Sequence, residues 1–291
     1  MFKISILIVV VGFILSLNYC IGTENNDENP SYELVKLFNL PEELAESSGI
    51  ILYDSLIWTF NDSGGEPVIF AIDPQTGEIL KSVEIINAAN IDWEDIAQND
   101  DYIFVGDFGN NEGSRKDLKI YCLQKKLLRK NETLQKVSAE IIEFNYENQK
   151  DFVPALYANP FDCEAMIATE DSIYLFTKDW LNLKTALYSL PIAEAQVIAK
   201  HIGGFNSDGL ITGADLEKKS GQIALCGYNL FYPFIIILDN IYSTQPIHTI
   251  EMEELSGVQI EGIAMAGKGA YLFSNEKSAI PQSLHRLKLK K

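Results

Sequence analysis

The chain has 291 residues, of which 47 % are hydrophobic and 22 % charged, as in folded globular proteins and unlike disordered or fibrous ones. It contains 23 Lys and Arg against 41 Asp and Glu, which gives a formal net charge of −18. A negative field of this size excludes binding to nucleic acid or anionic lipid through bulk electrostatics. An anionic ligand would need local cations, either side chains or a bound metal.

The N-terminus has the pattern of an export signal. Lys3 precedes an uncharged, predominantly apolar run over residues 4–17, which is too short to span a bilayer comfortably and is typical of a signal-peptide core. Cys20 lies where cleavage would fall. Leu17 resembles the corresponding residue of a bacterial lipoprotein signal, whereas Tyr19 replaces the small residue usually found before the cysteine. Lipidation of Cys20 and plain secretion are therefore the two alternatives.

These features divide the chain into three parts. Residues 1–20 are predicted to be a signal peptide, residues 21–31 an acidic polar tether, and residues 32–291 one folded domain. The protein is expected to be exported, as a periplasmic, outer-membrane-anchored or secreted protein. Contact with a membrane is expected only through a lipid anchor at Cys20.

Export permits disulfides, but the cysteine pattern does not indicate a disulfide framework. Beyond Cys20 there are three cysteines without CxxC spacing, namely Cys122, Cys163 and Cys226. Cys122 and Cys226 lie in apolar runs, where a small buried thiol is expected. A bridge from Cys122 to Cys163 is the alternative.

A recurring pattern sets the predicted architecture. Five segments each combine a small acidic motif, a short strand, a turn and a strongly apolar strand: ESSGI before LIWTF, DWEDIA before YIFVG, DCEAMI before IYLFT, TGADL before QIALC, and QIEGIA before AYLFS. With Ser48, Glu94, Glu164, Ala214 and Glu261 as matching points, the spacings are 46, 70, 50 and 47 residues. A recurrence of about 50 residues is the length of one four-stranded β-propeller blade.

The rest of each unit fits a blade. Third strands are predicted at residues 68–72, 118–122, 185–189, 234–238 and 283–287, and more polar fourth strands at 78–85, 138–144, 196–201 and 247–252. The fifth unit lacks a fourth strand, and residues 32–38 could supply it and close the ring. The prediction is an all-β, single five-bladed propeller, with six blades as the alternative if the long second unit, with its basic segment 125–136, hides another blade.

The geometry of a meander places the acidic motifs at one mouth of the central channel. The starts of first strands, the ends of second strands and the starts of third strands share one face. This face would hold Ser48, Glu94, Glu164 and Glu261, together with Thr212 or Asp215 from the fourth unit. The candidate ligand-binding residues near them are Asn61, Asp62, Asp107, Arg115, Lys178, Lys184 and Asn275.

Several carboxylates in one narrow channel repel each other unless they protonate or a cation lies among them. Ca²⁺ accepts six to eight hard oxygen ligands, including water. Zn²⁺ is disfavoured, because no histidine lies in a repeated motif. The alternative is that these carboxylates bond only the backbone of neighbouring blades.

The motifs NDSGG, DWEDIA, VGDFGNN, CEAM, FTKDW, TGAD and QIEGIAM resemble those of a family of exported, mostly uncharacterised β-propeller proteins that are often bacterial lipoproteins. More loosely, the layout is similar to calcium-activated nucleotidases (apyrases) and to phytase-like and gluconolactonase-type propellers. The nucleotidase resemblance implies a central Ca²⁺ with Ser48, Glu94, Glu164 and Glu261 as ligands, and Asp215 or Thr212 from the fourth blade.

Three functions follow as hypotheses. The first is a binding protein whose cation-stiffened channel mouth recognises a small ligand or a protein partner. The second is a Ca²⁺-dependent hydrolase of a phosphoanhydride, phosphoester or lactone, in which Arg115, Lys178 and Lys184 would steady an anionic group. The third is a structural component of the cell envelope.

Overall fold

The computed structural model of the chain describes residues 30–128, 132–230 and 232–290. The predicted signal peptide, Cys20 and most of the predicted tether lie outside these residues. The described part is all-β, as expected, with three short 3₁₀ turns and no α-helix. Within it, no helix has the length and apolarity needed to cross a membrane.

Twenty-one strands form the described part, and most of them belong to four-stranded antiparallel meanders. The first unit contains β2 (Ser47–Tyr53), β3 (Leu56–Asn61), β4 (Val68–Ile72) and β5 (Ile79–Ile85). The second contains β6 (Trp93–Gln98), β7 (Tyr102–Asp107), β8 (Lys119–Gln124) and β10 (Glu140–Tyr146). The third contains β11 (Asp162–Ala168), β12 (Ser172–Lys178), β13 (Lys184–Pro191) and β14 (Gln196–Asn206). The fourth contains β15 (Leu210–Leu216), β16 (Ile223–Asn229), β17 (Tyr232–Leu238) and β18 (His248–Glu251). The last three strands in the chain are β19 (Ile260–Met265), β20 (Ala270–Asn275) and β21 (Ser283–Leu289).

The fourth strand beside this last meander comes from the other end of the chain. Strand β1 (Tyr32–Asn39) pairs antiparallel with β21, from Tyr32 opposite Leu289 to Asn39 opposite Ser283. The sheet order is therefore β1-β21-β20-β19. Strand β1 thus lies beside the third strand of the last meander, where the sequence suggested residues 32–38.

The outer strands of the first three units also pair with strands outside their own meanders. Strand β10 runs parallel to β14, which joins the second and third units into one eight-stranded sheet. Strand β9 (Leu134–Val137) runs parallel to β5 of the first unit. The basic segment 125–136 thus ends in a strand that covers the edge of a neighbouring sheet.

The second strands are apolar on both faces, and this is why they lie inside the stack. In β3 the four central residues Ile57, Trp58, Thr59 and Phe60 are all buried. A strand buried on both faces needs neighbouring sheets on each side.

The three cysteines of the described part are free and buried in this core, so the alternative bridge from Cys122 to Cys163 is not formed.

The first strand of each unit contains a β-bulge. In β6, Trp93 pairs with Asp107 and Asp95 with Gly106, so Glu94 is an additional residue without a cross-strand partner. The same reading of the register gives Glu164 in β11, Thr212 in β15 and Glu261 in β19. Strand β2 has its irregularity between Ser48 and Ile51. A bulge re-aims the side chain of the extra residue and is common beside functional sites.

The bulges correct one matching point of the repeat. The fourth unit was aligned at Ala214, whereas its bulge residue is Thr212, two positions earlier.

The five first strands also contact one another in the order β2, β6, β11, β15, β19 and back to β2.

Candidate functional site

The five first strands begin at one edge of their sheets, here called the entry edge, where the bulge residues and Ser48, which directly precedes the irregularity of β2, lie. Ser48 Oγ donates to the carbonyl of Glu94 at 2.5 Å, and Thr212 Oγ1 donates to the carbonyl of Ile260 at 2.6 Å. Each hydroxyl thereby ties its own first strand to the first strand of the next unit. Because each hydroxyl already donates its proton, it can only accept a hydrogen bond from, or coordinate, a further partner.

Lys178 is a buried cation at the entry edge. Its Nζ lies 2.9 Å from Glu164 Oε2, and both side chains are 5 % exposed. The ammonium also lies 4.7 Å from the ring centroid of Trp180 and 5.6 Å from that of Tyr228. Burial alone would lower the pKa of Lys178, but the charges of Glu164, Tyr228 and Glu261 raise it, so the side chain stays protonated.

Lys178 is therefore the direct counter-ion of the acidic bulge residue of the third unit, and its charge also acts on Glu261, the bulge residue of the fifth. The carboxylate of Glu261 accepts a hydrogen bond from Gln259 Nε2 at 2.6 Å. Burial raises the pKa of Glu261 to about 8, and the positive charge of Lys178 opposes this rise. This part of the entry edge contains its own counter-ion.

The bulge residue of the second unit has no such counter-ion. Glu94 is 5 % exposed, and within the described part of the chain its carboxylate has no hydrogen-bond or ion-pair partner. Oxygens of Asp62, Asp92 and Glu94 all lie within 4.8 Å of one another. The structure thus brings together one predicted metal ligand, one predicted ligand-binding residue, and Asp92, which was part of the DWEDIA motif but was not proposed as a site residue.

The acidic cluster is defined as Asp62, Asp92 and Glu94. Neighbouring cations do not fully neutralise its negative charge, as the raised pKa values of all three carboxyl groups show. Burial and the charge of Asp92 raise the pKa of Asp62 to about 7. Burial raises the pKa of Asp92 to about 6, although Arg115 acts in the opposite direction. Burial and the charges of Glu164, Asp62 and Asp92 raise the pKa of Glu94 well above its usual value. At neutral pH the cluster must hold protons or a cation.

Asp215, which was predicted to be a metal ligand, is not brought into this cluster. Its Oδ1 accepts from its own neighbour Leu216 N at 2.9 Å, and its Oδ2 accepts from Met265 N at 2.7 Å. Burial raises its pKa to about 7. The carboxylate joins β15 to β19, which is the backbone-bonding role that was the alternative for these acids.

Asp95 has the same bracing geometry one residue after a bulge. Its Oδ2 accepts from Met166 N at 2.7 Å and from Ala214 N at 3.3 Å, and its Oδ1 accepts from Ile96 N at 2.8 Å. One buried carboxylate therefore joins β6 to β11 and β15. Sequence reasoning missed this role, because nothing in DWEDIA distinguishes Asp95 from its acidic neighbours.

Half-buried Arg115 and buried Asp107 form an ion pair behind the acidic cluster. Arg115 Nη2 lies 2.9 Å from Asp107 Oδ1, and Nη1 donates to the carbonyl of Gly109 at 2.9 Å. Arg115 Nε also pairs with Asp117 Oδ1 at 3.2 Å. The guanidinium that was predicted to steady an anionic ligand is therefore engaged with the chain itself.

The other predicted ligand-binding residues have different surroundings. Asn61 binds the backbone on both sides, as it donates to Glu43 O at 2.6 Å and accepts from Glu46 N at 3.3 Å. Asn275 is buried, and its Oδ1 accepts from Ser283 Oγ at 2.7 Å. Lys184 is exposed at the start of β13. None of these three lies in the acidic cluster.

Asn90 is a site residue that sequence reasoning missed. Its Nδ2 donates to the carbonyls of Asn61 at 2.9 Å and Asp62 at 2.7 Å, and its Oδ1 accepts from Trp93 N at 3.3 Å. It thereby fixes the segment carrying Asp62 against the strand carrying Glu94. Its place two residues before Asp92 was the available signal.

Neither a family model nor a curated protein sequence matches the chain. Among solved structures it is similar to the PQQ-bound aldose sugar dehydrogenase from Streptomyces coelicolor, with 10 % identity, a TM-score of 0.48, and coverage of 90 % of this chain and 100 % of that one. It is also similar to a putative gluconolactonase, with 10 % identity, a TM-score of 0.45, and coverage of 89 % and 93 %. A third is a nidogen/laminin complex, with 13 % identity, a TM-score of 0.44, and coverage of 84 % and 86 %. Likenesses of this level carry no argument about activity.

Proposed function

We propose that this chain is an exported five-bladed β-propeller that holds a Ca²⁺-type cation at its channel mouth and binds a small ligand or a protein partner there. The propeller is inferred from five meanders whose first strands contact one another in cyclic order. The pairing of β1 with β21 supports closure of the ring by the N-terminal strand. The entry edge is then the rim of the channel mouth.

One observation carries the cation site. Glu94 is a buried carboxylate that has no hydrogen-bond or ion-pair partner among the described residues, and its oxygens lie beside those of Asp62 and Asp92. An unpaired buried charge is expensive, so such a group either stays protonated or binds a cation. We infer that Asp62, Asp92 and Glu94 are the protein ligands.

The chemistry of the donors favours a hard cation. Three carboxylates supply only oxygen, which suits Ca²⁺, and water or a ligand oxygen would complete its six to eight positions. The turn that follows Asp62 is exposed at Ser63, Gly64 and Gly65, so the cluster is open to solvent on that side. An oxygen-bearing ligand could reach the cation from there.

The ligand proposal differs from the sequence-based one in its residues. Lys178 pairs with Glu164, so we assign Glu164 and Glu261 to the internally compensated part of the mouth. Ser48 and Asp215 are assigned to contacts between strands. We assign to Asp62 the role of bridging the cation and its ligand. The exposed turn that follows Asp62 is the side from which a ligand can approach the acidic cluster.

A Ca²⁺-dependent hydrolase is the alternative function, with a lactone as its substrate class. Two of the three cationic side chains considered for phosphate binding, Arg115 and Lys178, are engaged in ion pairs within the chain. This lowers the support for a phosphoanhydride or phosphoester. A structural role in the cell envelope is the second alternative.

Export and anchoring complete the proposal. The apolar run at residues 4–17 and Cys20 support a signal peptide, followed by lipidation or secretion. Metabolic labelling of the full chain with a palmitate analogue, compared with Cys20→Ser, distinguishes the two. Label in the wild type alone supports the anchor, and no label in either supports secretion.

The cation site is tested by calorimetric titration of the mature protein with Ca²⁺ after chelator treatment. We expect one Ca²⁺ per chain, and an increase in unfolding free energy of about 2.7 kcal/mol when free Ca²⁺ is a hundred times Kd. Glu94→Gln and Asp92→Asn should each abolish this increase. Glu42→Gln, which changes an exposed carboxylate paired with Lys277, is the matched control and should behave as the wild type.

The outcomes separate the functions. Absence of a Ca²⁺ effect in the wild type overturns the cation site. Lactone turnover that requires Ca²⁺ and is lost in Glu94→Gln identifies the hydrolase. Calcium binding without turnover of lactones, phosphoesters or phosphoanhydrides supports the binding protein.

A further inference from the structure

We infer that Gly109 and Arg115 position the carboxylates of the acidic cluster, an inference that rests on the proposed function. Neither residue supplies an oxygen of the cluster. Both lie in the segment after β7, which folds back over Asp92. Their role is to set how closely Glu94 and Asp92 approach each other.

Gly109 provides the space that the carboxylate oxygens occupy. A Cβ atom at this position would lie 2.0 Å from Glu94 Oε1 and 2.5 Å from Asp92 Oδ2. These are the ends of flexible side chains, so a methyl group would displace the oxygens and not the backbone. Gly109 does not have the left-handed backbone that favours glycine, so alanine is compatible with its conformation.

Arg115 holds Gly109 in place from behind. Its guanidinium donates to the Gly109 carbonyl and to Asp107 Oδ1, both at 2.9 Å. Asp107 Oδ1 also accepts from Asp92 N at 3.2 Å, and Gly109 N donates to Asp92 O at 3.1 Å. One planar, bidentate group therefore fixes both backbone contacts of Asp92.

Arg115 has two opposite effects on Ca²⁺ binding: its positive charge repels the ion, whereas its hydrogen bonds hold the carboxylates in place. An experiment can therefore distinguish the two effects. A guanidinium near Asp92 favours the ionised carboxylate but repels a second cation. If only its charge mattered to the cation, removing it would strengthen Ca²⁺ binding. If Arg115 positions the cluster, removing it weakens Ca²⁺ binding.

The experiment compares Ca²⁺ affinity by calorimetry in the mature wild type, Gly109→Ala, Arg115→Met and Arg115→Lys. We expect Gly109→Ala and Arg115→Met to bind at least tenfold more weakly. We expect Arg115→Lys to remain weak, because an ammonium cannot donate to both acceptors in the same fork. Asp117→Asn, which removes only the negative charge that pairs with Arg115 Nε, is the matched control and should stay within threefold of the wild type.

A second measurement reports geometry directly. Luminescence lifetimes of bound Tb³⁺ in H₂O and D₂O count the waters on the ion, and both weakened variants should gain at least one water. Unchanged or tighter Ca²⁺ binding in Arg115→Met, or unchanged binding in Gly109→Ala, overturns the positioning role while the site itself stands. A wild type that binds no Ca²⁺ overturns the proposed function instead. If Arg115→Met does not fold, Gly109→Ala decides.

Discussion

The ammonium of Lys178 lies 2.9 Å from Glu164 Oε2, and both groups are buried. For part of the entry edge, the cation that the repeated acids require is therefore a residue of the chain itself. Among the described residues, no lysine or arginine forms an ion pair with the carboxylates of the acidic cluster of Asp62, Asp92 and Glu94. This division limits the proposed metal site to the contact between the first and second units.

Lys178→Met should be among the most destabilising substitutions at the mouth. It leaves Glu164 buried without its partner, and breaking a buried ion pair costs about 3–5 kcal/mol. Urea unfolding measures the loss, and Lys178→Met combined with Glu164→Gln should recover part of it. Lys200→Met, which breaks an exposed pair with Glu147, is the control and should cost no more than about 1 kcal/mol. Equal effects of the two lysine substitutions would contradict the buried role.

Without calcium, stability should fall as pH rises from about 6.5 to about 8.5. The pKa of Asp62 is raised to about 7 and that of Glu261 to about 8, so the native state binds more protons than the unfolded state in this range. Each group that titrates contributes a loss of up to about 1.4 kcal/mol per pH unit. The pKa of His285 is lowered to about 4 by burial, so its effect, a loss on acidification, falls below this range.

The measurement is the unfolding free energy in chelator and in saturating Ca²⁺ across these pH values. Calcium should flatten the fall, because the cation replaces the protons in the acidic cluster. Glu261→Gln should make the fall shallower in chelator. A stability that rises with pH in chelator would contradict the raised pKa values.

Asp215→Ala should destabilise the protein without weakening Ca²⁺ binding. It leaves the backbone N–H groups of Leu216 and Met265 without their acceptor, at a cost of about 1–3 kcal/mol for each donor left buried and unsatisfied. Asp215→Asn keeps one acceptor oxygen and should recover part of the loss. A tenfold weaker Ca²⁺ affinity at unchanged stability would instead restore Asp215 as a metal ligand.

Asn90→Ala should weaken Ca²⁺ binding through the position of Asp62. The substitution removes two hydrogen bonds to the backbone of Asn61 and Asp62, so the segment carrying Asp62 loses its anchor to the second unit. We expect a fall in affinity of about tenfold, which corresponds to about 1.4 kcal/mol. Calorimetry measures it, with Asn87→Ala as the control, since Asn87 binds Ala139 in the outer part of the sheet. Equal affinities in both variants would contradict the anchoring role.

The sequence determined the elements of this fold and the position of the acids along them. The third strand expected at residues 68–72 is observed as β4, and the strand expected at 32–38 pairs with β21. Strand alternation, apolar runs and a recurring motif are patterns along the chain, and such patterns can be recognised without knowledge of the tertiary structure. Glu94, Glu164 and Glu261 were matched correctly because each lies at the same bulge.

Only the tertiary structure decided which acids share a counter-ion and which remain unpaired. Lys178 follows Glu164 by fourteen residues, yet it meets that side chain because β11 and β12 pair. Asp62 meets Glu94 because two separate units lie side by side, and Asp215 turns to Met265 because a bulge falls at Thr212 and not at its neighbours. Electrostatic energy depends on distances of a few ångströms between side chains that are far apart along the chain, and that information exists only once the sheets have packed.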